Sequence, residues 1–203
     1  MSYAIPTKEL TLTDIKGYKA EAILAGLLAA EESGIGKAGI MQPDGSRKGC
    51  NLTVREAHPF IDFGAPVGMG WTTDWYRGPA IGAAGWGSVF NSGALPLFAP
   101  VLARTKVAVF YKFQDSSGAV APPTIMAVRF RLGAGGATTL ASFFTQMPTQ
   151  GNMEPDVYFS EPVVYMPEDA LFIEAYYNAG VALAVEEFAF GCFIIERIGA
   201  IIS

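Results

Sequence analysis

At 203 residues the chain has room for one domain with a substantial core, with or without an added arm, and it reads as a single domain. Hydrophobic residues make up 51% and charged residues 16%, which argues against a disordered chain. A formal charge of −5 with no Lys/Arg cluster argues against a nucleic-acid-binding face, because neutralising phosphates takes several grouped cations.

So little charge has two readings: apolar surface covered by partner chains, or a large core beneath Ala- and Gly-rich loops. Cys50 and Cys192 are too few for a disulfide framework or a metal knuckle. Their spacing leaves pairing open, and free buried thiols are the expected state. The N-terminal run Met1-Ser2-Tyr3-Ala4-Ile5-Pro6 lacks the basic and then apolar pattern of a secretory signal. No membrane span is expected either. The apolar run at 22–30 is short and bracketed by Glu21, Glu31 and Glu32, and the C-terminal one is broken by Glu186 and Glu187, whereas a spanning helix needs about 20 apolar residues.

Residues 1–10 read as an extended arm, since Pro6 disfavours helix at the residue before it. Thr11 or Thr13 then caps a helix, with Asp14 in the first turn, where the helix dipole favours negative charge. Ile15, Tyr18, Ala22, Leu24, Leu27 and Leu28 supply its apolar contacts, and Gly34 is a natural stop. Small residues at 20, 22, 25, 26, 29 and 30 permit close approach of another backbone, although Gly26 costs about 1 kcal/mol relative to alanine inside a helix. Such a helix either packs on its own sheet or docks on a neighbouring subunit. Leu24, Leu27 and Leu28 are the candidate contacts for the second mode.

From Lys37 the helical period disappears, which divides the chain into an N-terminal arm and helix over 1–36 and a β domain over 37–203. Pro43-Asp44-Gly45-Ser46 is a turn signal between a short strand near 39–42 and another near 50–56, forming a hairpin. Asn51-Leu52-Thr53 matches a glycosylation sequon and reads as a chance match without a secretory signal. His58, the single histidine, would share a strand face with Glu56. One His and one Glu make an incomplete metal site, so an ordinary hydrogen-bonded histidine is expected.

The stretch 64–100 is rich in glycine and proline and holds all three tryptophans, Trp71, Trp75 and Trp86, beside Tyr76. A connection this long is either functional or disordered, and three tryptophans argue against disorder. These four aromatics form a ligand platform, a loop buried in an adjacent subunit, or a loop folded over its own core. The glycines make no phosphate cradle, because neither a Gly-Lys-Ser/Thr end nor a G-x-G-x-x-G between strand and helix is present.

Strand patterns resume at 106–113, where Val107, Val109, Tyr111 and Phe113 alternate with Lys106, Ala108, Phe110 and Lys112. In the next, 124–132, Arg129 and Arg131 share a face with Ile125 and Ala127, which leaves Met126, Val128, Phe130 and Leu132 as the buried face. Another follows at 138–146, and 156–199 reads as three more, broken at Pro167-Glu168-Asp169 and Asn178-Ala179-Gly180. The last strand is apolar on both faces, which calls for a cover on each side; the N-terminal helix and a neighbouring subunit are the two candidates. Roughly eight or nine strands joined by short turns, with no helix after the first, predict an all-β fold: a single jelly-roll-type antiparallel β-sandwich with an N-terminal arm and helix.

Catalytic arrangements fail on inventory, so no enzyme activity is expected. A Ser-His-Asp or Cys-His set would have to use His58, and no serine lies in a G-x-S-x-G elbow. Carboxylates such as Glu161, Glu168, Glu174 and Glu196 could pair as in a glycosidase, but on turns and strand faces they read as solvated. No cofactor and no metal are expected.

An N-terminal arm and helix, a long Gly/Pro/aromatic loop, and a closing run from Glu161-Pro162-Val163-Val164-Tyr165 through Pro167-Glu168-Asp169 to 188–199 together resemble jelly-roll virion structural proteins, the capsid and cement or decoration proteins of bacteriophage-like viruses. The resemblance covers about the last third of the chain and implies a structural role. Copies would assemble into a shell or clamp neighbouring shell subunits through apolar surfaces, as homo-oligomers or with other capsid proteins, in a virion assembled in the host cytoplasm. The alternative is a carbohydrate- or ligand-binding sandwich that uses Trp71, Trp75, Tyr76 and Trp86, with a glycan as partner.

Overall fold

The computed structural model describes residues 4–6, 10–57, 62–63, 76–77, 85–88, 100–115, 125–144, 156–177 and 187–199. After β1 (Ala4–Pro6) and α1 (Leu12–Glu32) come the short β2 (Ile40–Met41) and β3 (Arg47–Lys48), then β4 (Leu52–Glu56), β5 (Tyr76–Arg77) and β6 (Gly85–Ser88). The longer strands are β7 (Lys106–Asp115), β8 (Ile125–Leu132), β9 (Thr138–Phe144), β10 (Asp156–Tyr165), β11 (Phe172–Tyr177) and β12 (Glu187–Arg197).

These strands form two antiparallel sheets. The first runs β1-β10-β7-β12-β4 with β5 also on β12, and the second runs β6-β11-β8-β9. The pairing is nested: β4 with β12, β6 with β11, β7 with β10, β8 with β9. Between the sheets lies an aromatic core in which Phe130 of β8 packs against Phe110 of β7 (5.2 Å between ring centroids) and Phe159 of β10 (5.5 Å). Phe143 of β9 stacks on Phe159 at 4.1 Å. Tyr165 is fully buried in this core and its hydroxyl donates to the Arg131 carbonyl at 3.0 Å, so its polar end is satisfied.

A second core lies on the outer face of the first sheet, under α1. Thr11 caps the helix: its hydroxyl accepts from the Asp14 N–H (3.2 Å), and the Asp14 carboxylate accepts from the Thr11 N–H (2.8 Å). The helix ends at Glu32, and Gly34 follows at φ +74°, a left-handed conformation that glycine adopts without steric penalty. Ala22, Gly26, Leu27, Ala29 and Ala30 face the sheet and are buried. They meet Val107, Val109 and Tyr111 of β7, Tyr158 of β10, and Phe193 and Ile195 of β12. The helix is thus the cover that the doubly apolar last strand requires: Phe190, Cys192 and Ile194 point between the sheets, and Phe193 and Ile195 point at the helix.

Simple alternation misplaces Phe113, Ile125 and Met126, the last only half-buried and outside the core, for one reason. Phe113 belongs by alternation with Val107, Val109 and Tyr111, yet it lies in the inter-sheet core with Phe110. The β7–β12 register steps from Cys192↔Phe110 to Gly191↔Lys112, so Tyr111 is an extra residue that reverses the faces beyond it. Ile125 moves in the same way from the arginine face to the core, across the shift between Tyr176↔Ala127 and Tyr177↔Ile125. The bulged Tyr111 ring lies over Gly191, where an added Cβ would meet its Cζ at 2.8 Å.

The hairpin also differs from expectation. Residues 43–46 do form the turn, but β2 pairs with β3, and the stretch expected to be its partner, β4, crosses to β12. Asn51 accepts from the Lys37 N–H at 2.6 Å, which fixes the chain as it leaves the hairpin. Cys50 and Cys192 are free thiols. No helix among the described residues is long and apolar enough to cross a membrane.

Candidate interaction surface

The outer face of the second sheet carries the most distinctive arrangement of side chains. Alternation along β8 sends Arg129 and Arg131 outward, and the register Glu174↔Arg129 and Phe172↔Arg131 sets β11 beside them. Arg129 Nε donates to Glu174 Oε2 at 2.5 Å, and Arg131 Nη1 donates to the same oxygen at 3.2 Å. Burial opposes the charged form of Glu174, but these hydrogen bonds and the two positive charges outweigh it and hold the carboxyl below its ordinary range. Arg131 Nε is buried without a hydrogen-bond partner. Two guanidiniums share one carboxylate here, so the cluster carries one net positive charge.

Trp86 is drawn into this cluster from β6. The register Tyr176↔Trp86 places the two rings edge to face at 5.4 Å, and the Arg129 guanidinium carbon lies 4.1 Å from the centre of the indole, a cation–π contact. Across the sheet, Trp86, Tyr176, Ala127 and Phe144 fall in one row and Glu174, Arg129 and Ser142 in the next. Trp86 is 38% exposed and Phe144, at the free end of the row, 74%. Comparison of the chain with protein-family models, curated proteins and solved structures yields no match.

The other sequence-derived contact residues fall elsewhere. Trp71, Trp75 and His58 lie outside the described residues, as does the side chain of Tyr76, whose backbone in β5 pairs with Phe188. Leu27 is buried against its own sheet, whereas Leu24 and Leu28 are 40% and 54% exposed on the far side of α1. The helix sits on the first sheet and Trp86 on the second, so the structure does not bring the leucines and Trp86 together.

A second polar cluster escaped the sequence reading. Arg55 on β4 donates to both oxygens of Asp62, at 2.7 and 2.6 Å, and through Nε to Glu196 on β12 at 2.8 Å. Lys106 on β7 donates to Asp62 at 2.8 Å. Asp62 and Glu196 are buried, and for Glu196 this corrects the expectation that the strand carboxylates are solvated. Arg55 reaches Glu196 inside an apolar strand, and the hydrogen bonds it donates to Asp62 and Glu196 strengthen the guanidinium's own hold on its proton against the cost of burial. The one sequence signal was a lone glutamate in the run Phe193-Ile194-Ile195-Glu196. Next to this cluster Tyr111 donates to Glu56 at 3.0 Å; burial and the Glu56 charge raise its phenol well above the ordinary value. No group of three His, Cys, Asp or Glu among the described residues could hold a metal ion.

Proposed function

We propose that the chain is a structural virion protein, a capsid or capsid-stabilising cement subunit built on a jelly roll with an N-terminal arm and helix. Numbered in chain order, β4 and β6 to β12 make eight strands that pair first with last, second with seventh, third with sixth and fourth with fifth. A folded-over ribbon of that kind supports a jelly roll, an architecture common in viral capsids. The arm reading draws on β1, which pairs with β10 at the edge of the first sheet.

The asymmetry between the two outer faces carries the proposal. α1 covers the first sheet, while the second presents Trp86, Tyr176, Phe144 and two guanidiniums. Aromatic residues and arginine are the side chains enriched at protein interfaces and at their hot spots. Subunits that pack through this face would form the shell or clamp its neighbours.

Light scattering and electron microscopy of the full chain test the proposal. Higher-order assemblies are expected, and Trp86→Ala with Phe144→Asp should abolish them while the monomer keeps its thermal midpoint. A stable monomer at every concentration refutes it. The glycan-binding alternative draws on the partly exposed Trp86 ring, but Arg129 already stacks on that indole. Retention of a monomer on a glycan column, lost in Trp86→Ala, would favour that reading.

A further inference from the structure

We infer that β9 joins two copies of this chain edge to edge, antiparallel about Ser142, so that their second sheets run on as one. The inference rests on the shell-subunit reading and names one contact through which the copies associate. Among the described residues β9 is the last strand of its sheet, and an edge strand offers a row of backbone N–H and C=O groups to an incoming extended segment. Proteins usually guard such edges with charge, proline or brevity. The other described edges of the two large sheets are guarded: β4 ends in Arg55 and Glu56, β5 is two residues long and ends in Arg77, β1 is three residues long and ends in Pro6, and β6 is four residues with two glycines. By contrast, the seven residues of β9, Thr-Thr-Leu-Ala-Ser-Phe-Phe, include no charge and no proline.

The strand's own pattern selects a second copy as the occupant. Its two exposed large apolar side chains, Leu140 (41%) and Phe144 (74%), stand two residues either side of Ser142, which is also exposed. An antiparallel pair related by a two-fold axis at Ser142 sets Ser142 against itself and each Phe144 beside Leu140 of the other copy, so each covers the other's exposed group. On the inward face the same register sets Ala141 against Phe143, and no like charges oppose one another. The register between β8 and β9 shifts at Leu140, which confines regular pairing to the residues nearest the axis. Beside the strand, an open cleft of about 170 Å³, lined by Leu140, Ala141, Glu161, Pro162, Val163 and Val164, separates this edge from β10.

Substitutions at the two-fold axis test this contact. Opposed Cα atoms in an antiparallel pair lie about 4.5–5.5 Å apart, within disulfide reach. In a Cys50→Ser background, Ser142→Cys should give a covalent dimer under mild oxidation, while Thr138→Cys, four residues from the axis, should not. Ser142→Lys, which sets two ammonium groups face to face, should remove the dimer mass in light scattering with the thermal midpoint unchanged. Assembly by the unmodified chain with no S142C cross-link and wild-type assembly by S142K overturns the inference and leaves the shell reading standing; a monomer at every concentration overturns both. Should S142K fail to fold, hydrogen exchange of the unmodified chain decides. Protection of β9 amides that rises with protein concentration supports the contact, and exchange independent of concentration overturns it.

Discussion

Replacing Gly26 by alanine should destabilise the protein, although alanine is the better helix former. Inside a helix the exchange gains about 1 kcal/mol. At this position, however, the new methyl group would lie 2.4 Å from Ile195 Cδ1, 2.7 Å from Val109 Cγ2 and 3.0 Å from Ile195 Cγ1, whereas carbon atoms pack best at about 3.5–4.0 Å. The Ile195 methyl is the end of a flexible chain, but Val109 is β-branched and both residues are fully buried, so the helix must lift or the core must shift. Overpacking of this kind costs about 1–3 kcal/mol, which leaves a net loss of about 0–2 kcal/mol. Gly17 is the internal control: it lies in the same helix, and a Cβ there would meet nothing within 4 Å. Gly17→Ala should therefore stabilise by about 0.5–1 kcal/mol. Propensity cancels between the two variants, so their difference isolates the packing cost of about 1–3 kcal/mol. Urea unfolding followed by circular dichroism reads it directly, and thermal midpoints should differ by about 2–4 °C per kcal/mol. Equal stabilisation by both substitutions would refute the close seating of α1 on the sheet.

Three further outcomes are expected. Asp62→Asn removes the buried counter-charge that Arg55 and Lys106 share and leaves Arg55 with Glu196, a loss of about 3 kcal/mol at the lower end of the range for breaking a buried pair, because Arg55 keeps one partner and is a third exposed; a midpoint change under 2 °C, about the shift that 1 kcal/mol produces, would contradict it. Glu174 has a depressed carboxyl in the folded state, so its contribution to stability is complete above the ordinary carboxylate range and is lost as pH falls through the folded value. The gap in urea midpoint between the wild type and Glu174→Gln should accordingly close on acidification, and a gap constant from neutral pH to pH 3 would count against the Arg129–Glu174–Arg131 cluster. Burial raises the Cys192 thiol well above its ordinary value, so a thiol reagent should titrate Cys50 in the native protein and both cysteines only after unfolding; fast modification of two thiols in the native state would show the last strand to be open.

The ends of α1 were legible in the sequence because capping is local: Thr11, Asp14 and Gly34 act within a few residues of one another. The side on which the helix docks was only half legible. Apolar periodicity singled out Leu24 and Leu28, yet both are exposed, because the helix seats through its small residues, Ala22, Gly26, Ala29 and Ala30. Close backbone approach, rather than side-chain hydrophobicity, sets that contact. The need for a cover over the last strand could be read from its two apolar rows, and α1 supplies it.

By itself, the sequence determined what short-range chemistry controls: the long strands from β7 to β12, the single capped helix, an apolar chain of low charge, and the outward arginines of β8, but not β5 and β6, which lie in the stretch read as a long loop. Tertiary structure alone decided what depends on distant partners. Bulges opposite β10, β11 and β12 reversed the faces of Phe113 and Ile125, and no count along one strand registers an extra residue relative to its neighbour. Arg55 and Glu196 meet across 141 positions of chain, and Trp86 meets Arg129 only because β11 lies between their strands. Such contacts follow from the order in which strands pair, a global property of the fold, and a linear pattern records only the residues that take part.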